Sequence, residues 1–397
     1  MIFVGYGYVN EEHGYDDYKN VDVEGKIILR LAGYPGQMDT ASLAYKTFNP
    51  SGNPQNRQAY IGRNAEASER GVAAIIDVSM DGDVSGGWAA NIPFRYNSRM
   101  YEGDERPPSF SDTRMRRPGD NISDNMTRVT ATRRVLNKIL EGSGVNAEEF
   151  IQSVGGNLKP ASRAITGKNV RIMTSVDSRI ITARNVIGVI PGKDTSNVIM
   201  VGGHYDHLGI HGGYIWNGAD DNASGTVGVM TVAKACMATG EKPGKTIVFA
   251  AWTAEEKGLI GSRFFTDNPY NNCNISAYLN YDMISRDNPD DSLGVKCSMI
   301  YTEAFKNFEE MTARYNQEYD LGLEINYRPQ ERPRGGSDHT PFAQADVPVM
   351  YLHAGMPVEY HQADDHISKV NWEKLVKIIK IGYLNIWELA NSEWEPE

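Results

Sequence analysis

Short apolar runs bounded by glycine, proline or polar residues recur along the chain, and what lies between them changes part-way. Up to about residue 180 the pattern is rich in strands and turns. Met1–Gly7 reads as a strand entering a glycine turn, and Gly25–Leu31 and Val72–Val78 as short β-branched strands. Ala59–Arg70 carries helix formers, while residues 80–125 are dense in Gly, Pro, Ser, Asp and Arg and are expected to form a long loop. Thr130–Leu140 and Ala147–Val154 have helical spacing, and Lys168–Val176 reads as a further strand.

From about residue 183 strands and helices alternate. Strands are predicted over Asn185–Ile190, Asn197–Gly203, Thr246–Trp252, Ala277–Asp282 and Pro348–Leu352. Helices are predicted over Ser224–Thr239, from near Lys257, over Glu303–Glu318 and over Trp372–Leu389. Continuous apolar strands alternating with helices imply an α/β fold, a mostly parallel central sheet covered by helices on both faces. Such sheets place their chemistry where the carboxyl ends of strands meet the following loops. The expected division is a smaller, β-rich α+β domain over 1–178 and the α/β domain over 183–397.

With 397 residues there is enough chain for two domains with cores of their own. The net charge of −11 disfavours nucleic acid or an anionic membrane as a general partner, and the short basic runs Arg114–Arg117 and Arg133-Arg134 read as solvated faces. No apolar run approaches the roughly 20 residues that span a bilayer. Cys236, Cys273 and Cys297 form neither a disulfide framework nor a CxxC pair.

The candidate chemistry sits at strand ends. His204 and Asp206 are two apart in an extended segment, which suits a metal-binding imidazole and a carboxylate that takes its second ring N–H. Gly218-Ala219-Asp220-Asp221-Asn222-Ala223-Ser224-Gly225 puts adjacent acids between small residues just before a helix. A carboxylate can bridge two cations, and Asp220 is expected to do so with Asp221 supporting the turn. Glu255-Glu256 follows a buried strand; one can coordinate while the other stays free to take a proton from water. Asp282 ends another strand, and His361 lies in Tyr360-His361-Gln362-Ala363-Asp364-Asp365. Imidazole and carboxylate without thiolate suit zinc best, with cobalt or manganese as substitutes. His207, His211, His339, His353 and His366 lack comparable support as ligands, although Ser337-Asp338-His339 can line a pocket.

In this order, HYDH at 204–207, GADDNASG at 218–225, AEEKGLIGS at 254–262, NYDMIS at 280–285 and YHQADD at 360–365 resemble the co-catalytic zinc aminopeptidases. That family includes the leucyl aminopeptidases of Vibrio and Streptomyces, glutaminyl cyclases and glutamate carboxypeptidase II. The resemblance implies two zinc ions, one on His204 and Asp282 and the other on Glu256 and His361. It further implies Asp220 as bridge, Glu255 as general base, Asp206 behind His204, and Tyr360 steadying an oxyanion. Residues 1–178 resemble a protease-associated domain, through Met1–Gly7, Tyr15–Lys19, Val21–Ile28 and Gly71–Ile76. The family usually has a helix and strand of the peptidase domain ahead of this insert, a segment expected to be missing here.

The implied activity is removal of N-terminal residues from peptides with free amino ends, in an extracellular or periplasmic setting whose export signal lies outside this chain. Two readings on the same fold compete, a glutaminyl-cyclase-like acyltransferase and a glutamate-releasing carboxypeptidase. A non-catalytic, receptor-like binding protein is a reading of another class, but such proteins lose metal ligands and none is missing here. Side-chain preference and oligomeric state are not legible in the sequence.

Overall fold

The computed structural model describes residues 1–37, 39–50, 62–78, 115–120, 126–173, 178–211, 214–269 and 273–394. The chain divides into two compact units, one of residues 1–112 with 119–178, the other of 113–118 with 179–397. Most of the loop expected over 80–125 lies outside the described residues.

The first unit holds a five-stranded sheet of β1 (Ile2–Phe3), β2 (Ile27–Leu31), β3 (Ala74–Val78), β4 (Thr127–Ala131) and β5 (Arg163–Ala164), in the order β4-β3-β2-β1-β5. All neighbours run parallel except β5. Helices α1 (Leu43–Phe48), α2 (Arg63–Glu69), α3 (Arg133–Leu140) and α4 (Ala147–Asn157) accompany it. One apolar cluster, including Phe3, Leu29, Ile76, Leu136 and Phe150, packs α3 and α4 on one face of the sheet. A second, with Ile2, Ile28, Ala67 and Ile75, packs α2 on the other. The strand expected over Lys168–Val176 does not form in its described part. Val170 and Ile172 instead pack against the larger cluster, so their apolar alternation serves burial rather than strand pairing.

In the second unit a seven-stranded sheet is built from β6 (Val186–Ile190), β7 (Asp194–His204), β10 (Lys245–Trp252), β11 (Asn274–Tyr281), β12 (Lys296–Thr302), β13 (Glu324–Gln330) and β14 (Val349–His353). A hairpin of β8 (Gly209–His211) and β9 (Tyr214–Trp216) stands apart from it. The order is β13-β12-β14-β11-β7-β10-β6. The central strands β10, β7, β11 and β14 are mutually parallel, while β6 and β12 run against their neighbours β10 and β14. The sheet is therefore mixed but rich in parallel pairing.

Alternate residues of the central strands feed opposite cores. Ile199, Val201, Ile247, Phe249 and Leu279 meet α5 (Gly225–Ala238), α7 (Asn307–Glu318) and α9 (Trp372–Asn391) on one face. Val198, Met200, Val248, Trp252 and Tyr278 meet α6 (Ile260–Asp267) and α8 (His339–Gln344) on the other. Burial on both faces explains why these strands read as continuous apolar runs. A buried polar chain crosses the second core: Trp252 Nε1 donates to Tyr278 Oη at 2.8 Å, which donates to Asn280 Oδ1 at 2.7 Å, and Asn280 Nδ2 donates to Ser337 Oγ at 2.8 Å. It ties β10 and β11 to the segment leading into α8. No described helix is long and apolar enough to cross a membrane.

Helix α9 approaches the sheet closely because Gly382 has no side chain. A Cβ there would overlap the phenol of Tyr281, whose hydroxyl donates to Ile379 O at 3.1 Å. Gly382→Ala is expected to destabilise the protein by about 1–3 kcal/mol, as overpacking does. A denaturant midpoint unchanged from wild type would contradict this packing.

Candidate metal centre

The strand ends β7, β10 and β11 deliver His204, Glu255-Glu256 and Asp282 to one edge of the sheet. Two further segments complete the cluster: the turn Gly218–Ser224 ahead of α5 and the loop carrying His361 after β14. His204 Nδ1 lies 3.0 Å from the Asp206 carbonyl oxygen, which sets the tautomer and leaves Nε2 facing the cluster. That Nε2 is 3.3 Å from Asp221 Oδ1, 3.4 Å from Asp282 Oδ1 and 3.9 Å from Glu255 Oε2. On the other side His361 Nε2 is 3.0 Å from Asp221 Oδ2 and 3.2 Å from Glu256 Oε2. Asp221 thus offers one oxygen to each imidazole.

Backbone geometry at the cluster is unusual. Ala254, Met283 and His361 are non-glycine residues with φ of 53°, 55° and 52°. Each is, or adjoins, a residue of the cluster, and such conformations cost roughly 1–3 kcal/mol unless the surroundings impose them. The peptide between Asp221 and Asn222 is cis.

The donor set fits a cation. His204 Nε2 and Asp282 Oδ1 are buried without a hydrogen-bond partner. Ligand atoms of His204, Glu255 and Asp282 all lie within 4.8 Å of one another, as do those of His207, Asp221 and Glu256. Buried acceptors facing one another are costly unless positive charge joins them.

The profile of Peptidase family M28 matches residues 185–383, half of the chain and all of the cluster. The chain belongs to peptidase family M28. Leupeptin-inactivating enzyme 1 of Streptomyces exfoliatus is 34% identical over 181 residues, covering 44% of this chain and 36% of that protein. Leucine aminopeptidase 2 of Arthroderma otae is 33% identical over 218 residues, covering 52% and 40%. A glutamate carboxypeptidase 2 homolog of Caenorhabditis elegans is 35% identical over 224 residues, covering 50% and 28%. The chain therefore spans less than half the length of each of these relatives. In fold it is similar to the aminopeptidase of Aneurinibacillus sp. strain AM-1, with a TM-score of 0.55 at 18% identity over 99% of this chain and 75% of that one. It is also similar to BSAP, a zinc aminopeptidase from Bacillus subtilis, with a TM-score of 0.54 at 17% identity over 100% and 77%.

Within this M28 domain the two adjacent aspartates have exchanged their expected places. Asp220 does not face the imidazoles. Its Oδ1 accepts the backbone N–H and the hydroxyl of Ser285, both at 2.8 Å, so Asp220 fastens the turn to the segment after Asp282. Asp221 is the carboxylate between His204 and His361, because the non-helical backbone at Asp221 and Asn222 turns the second acid inward. Asp206 stands behind His204 as expected, its Oδ1 3.9 Å from His204 Nδ1, but meets the ring through another group. Its carboxylate accepts the backbone N–H groups of Glu255 at 3.0 Å and Glu256 at 3.3 Å, and it is the Asp206 carbonyl that meets His204. Tyr360 stacks on His361 with ring centroids 3.8 Å apart.

His207, set aside in the sequence reading, belongs to the cluster: its Nδ1 is 2.9 Å from Glu256 Oε1 and 4.0 Å from Asp221 Oδ2. His353 supports from behind, its Nδ1 3.0 Å from the Asp282 carbonyl oxygen. His339 is buried against Tyr351 with centroids 4.4 Å apart.

Electrostatics separates the acids. Burial alone would raise Asp221, but His204 and His361 outweigh it and hold the carboxyl below its ordinary range. Burial raises Asp220 to about 7, only partly offset by Ser285. Glu255 is raised well above its ordinary value, by burial first and then by Asp338, Asp282 and Glu256, with His204 opposing. Burial would lower His361, yet Asp221 and Glu256 push it up to about 9.

The exchange of roles is testable by metal analysis after dialysis. Asp221→Asn is expected to retain fewer divalent cations per chain than Asp220→Asn, whose loss should stay within the roughly 10–100-fold in affinity typical of a supporting residue. The reverse ranking would restore Asp220 as the bridge.

Proposed function

We propose that this chain is the catalytic part of a two-zinc aminopeptidase. One ion is assigned to His204 and Asp282, the other to Glu256 and His361, and Asp221 is assigned as their bridge. The observation that carries the reading is Asp221 itself, one oxygen directed at His204 and the other at His361, with Glu255 alongside. When bound, the zinc pair supplies Lewis acidity, activating water and polarising the scissile carbonyl.

Glu255 takes the proton from water and returns it to the leaving amine. Asp206 holds the Glu255-Glu256 turn through two backbone N–H groups, which keeps the base and the neighbouring ligand in separate directions. Tyr360, held against His361, is assigned to steady the developing oxyanion.

Charge supports an aminopeptidase over a carboxypeptidase. Beyond the assigned ligands the buried acids Glu255 and Asp338 favour a substrate ammonium group. The charge of Arg286, the buried guanidinium nearby, is already met by two carboxylates, Glu359 at 2.6 Å and Asp365 at 3.9 Å. The relatives named leucine aminopeptidase point the same way. The first unit is assigned as a protease-associated domain, and the setting as extracellular or periplasmic, on the resemblance in sequence.

The test is Glu255→Gln assayed with a leucyl arylamide, its N-acetyl form and an N-terminal glutaminyl peptide. Wild type is expected to release leucine from the free-amine substrate alone. The variant should keep its zinc but lose at least roughly 10²–10⁴-fold in kcat, the scale of general-base catalysis. A fully active variant, or cyclisation of the glutaminyl peptide in place of hydrolysis, would overturn the proposal.

A further inference from the structure

We infer that Arg286 is a positioning residue that clamps the His361 loop and, through Asp365, the Asp221 turn, and so sets the affinity of the ion assigned to His361 and Glu256. The inference rests on the two-zinc reading.

Arg286 is 6% exposed and follows Asp282 by four residues. Its Nη2 donates to Glu359 Oε2 at 2.6 Å, and its Nη1 lies 3.9 Å from Asp365 Oδ1. Glu359 and Asp365 bracket His361 in sequence, so one guanidinium meets the loop on both sides of the ligand, by a hydrogen bond at Glu359 and by charge alone at Asp365, where Nη1 has no hydrogen-bond partner. That loop needs holding, because His361 has a φ of 52° that its surroundings must impose.

Asp365 carries the effect to the second segment. Its carboxylate accepts the backbone N–H of Asp220 and of Asp221 at 3.0 Å, and its carbonyl accepts the N–H of Ala219 at 3.2 Å. One buried carboxylate, 1% exposed, therefore holds the start of the turn that aims Asp221, alongside the bonds of Asp220 to Ser285. A buried carboxylate holding only backbone dipoles is stabilised by a nearby full positive charge, and Arg286 supplies it.

The clamp is itself anchored. Lys374, fully buried on α9, donates to the Arg286 carbonyl at 3.1 Å and pairs with Asp291 and Asp287. The N–H of Asn371, which caps α9, donates to the Ser285 carbonyl at 2.8 Å. Lys369 holds the far oxygen of Glu359 at 2.9 Å. The His361 loop and, through Asp365, the Asp221 turn thus depend on one guanidinium whose backbone is fixed to α9. A guanidinium presents a planar fork of N–H donors, as an ammonium does not.

The test is chelator-competition titration of zinc into the full chain, giving both dissociation constants, alongside kcat and KM on a leucyl arylamide. Arg286→Met is expected to weaken the more loosely held ion by roughly 10–100-fold, the scale of lost support for a metal ligand. The tighter ion should change far less, and kcat at limiting zinc should fall while KM holds. Arg286→Lys, which keeps the charge without the fork, should fall between wild type and Arg286→Met. If Arg286→Met fails to fold, Glu359→Gln carries the test, with a smaller loss at the same ion. Zinc affinities unchanged in the folded variants, with only a lower melting temperature, would overturn the clamp. A wild-type protein that takes up fewer than two ions overturns the metal reading, and this inference with it.

Discussion

Carboxylates closed off from water at the ends of adjacent strands repel one another, and the second unit of this protein is arranged around that cost. Asp220, Asp221, Glu255, Asp282, Asp338 and Asp365 are all buried, as are His204 and His361. Such a set is tolerable only where every acid meets N–H groups, a guanidinium or a cation. The structure divides the acids accordingly. Asp365, Asp206 and one oxygen of Asp220 accept N–H groups and fix backbone, whereas Asp282 Oδ1 has no hydrogen-bond partner and the oxygens of Asp221 and Glu256 face only imidazoles. The second group is the one that calls for metal.

The fold prepares this division before any ion arrives. Alternation along β7, β10 and β11 packs one helix layer on each face, so the strand ends are held from both sides. The polar chain from Trp252 to Ser337 stiffens one side of the edge, and the Lys374–Asp291 pair fixes the other. Backbone conformations costly elsewhere occur at Ala254, Met283 and His361, where that rigidity can sustain them.

Much of this was legible in the chain. The buried strands of the second unit, their helices, and the gathering of His204, Glu255, Glu256 and Asp282 at one sheet edge follow from apolar runs that end in polar side chains, whereas His361, in the loop after β14, was read from its motif. What escaped the sequence depends on local backbone direction. Asp220 and Asp221 are adjacent and chemically identical, and only the dihedral angles of the turn decide which one faces inward. His207 lies in the irregular segment between β7 and β8, which periodicity does not describe. Strands β12 and β13 were missed because their sequences mix lysine, serine, arginine and proline among the apolar positions, as partly exposed strands do. Arg286 and Asp365 act through contacts between residues far apart in sequence, which spacing alone does not reveal.

The central claim is that Asp221 lies between two metal ions. Anomalous diffraction at the zinc edge from crystals of the zinc-loaded protein tests it most directly. The account predicts two peaks per chain, about 3.5–4 Å apart as in two-metal hydrolases, one beside His204 and Asp282, the other beside His361 and Glu256, with Asp221 between. A single peak, or a pair of peaks bridged by Asp220 with Asp221 turned away, would contradict it.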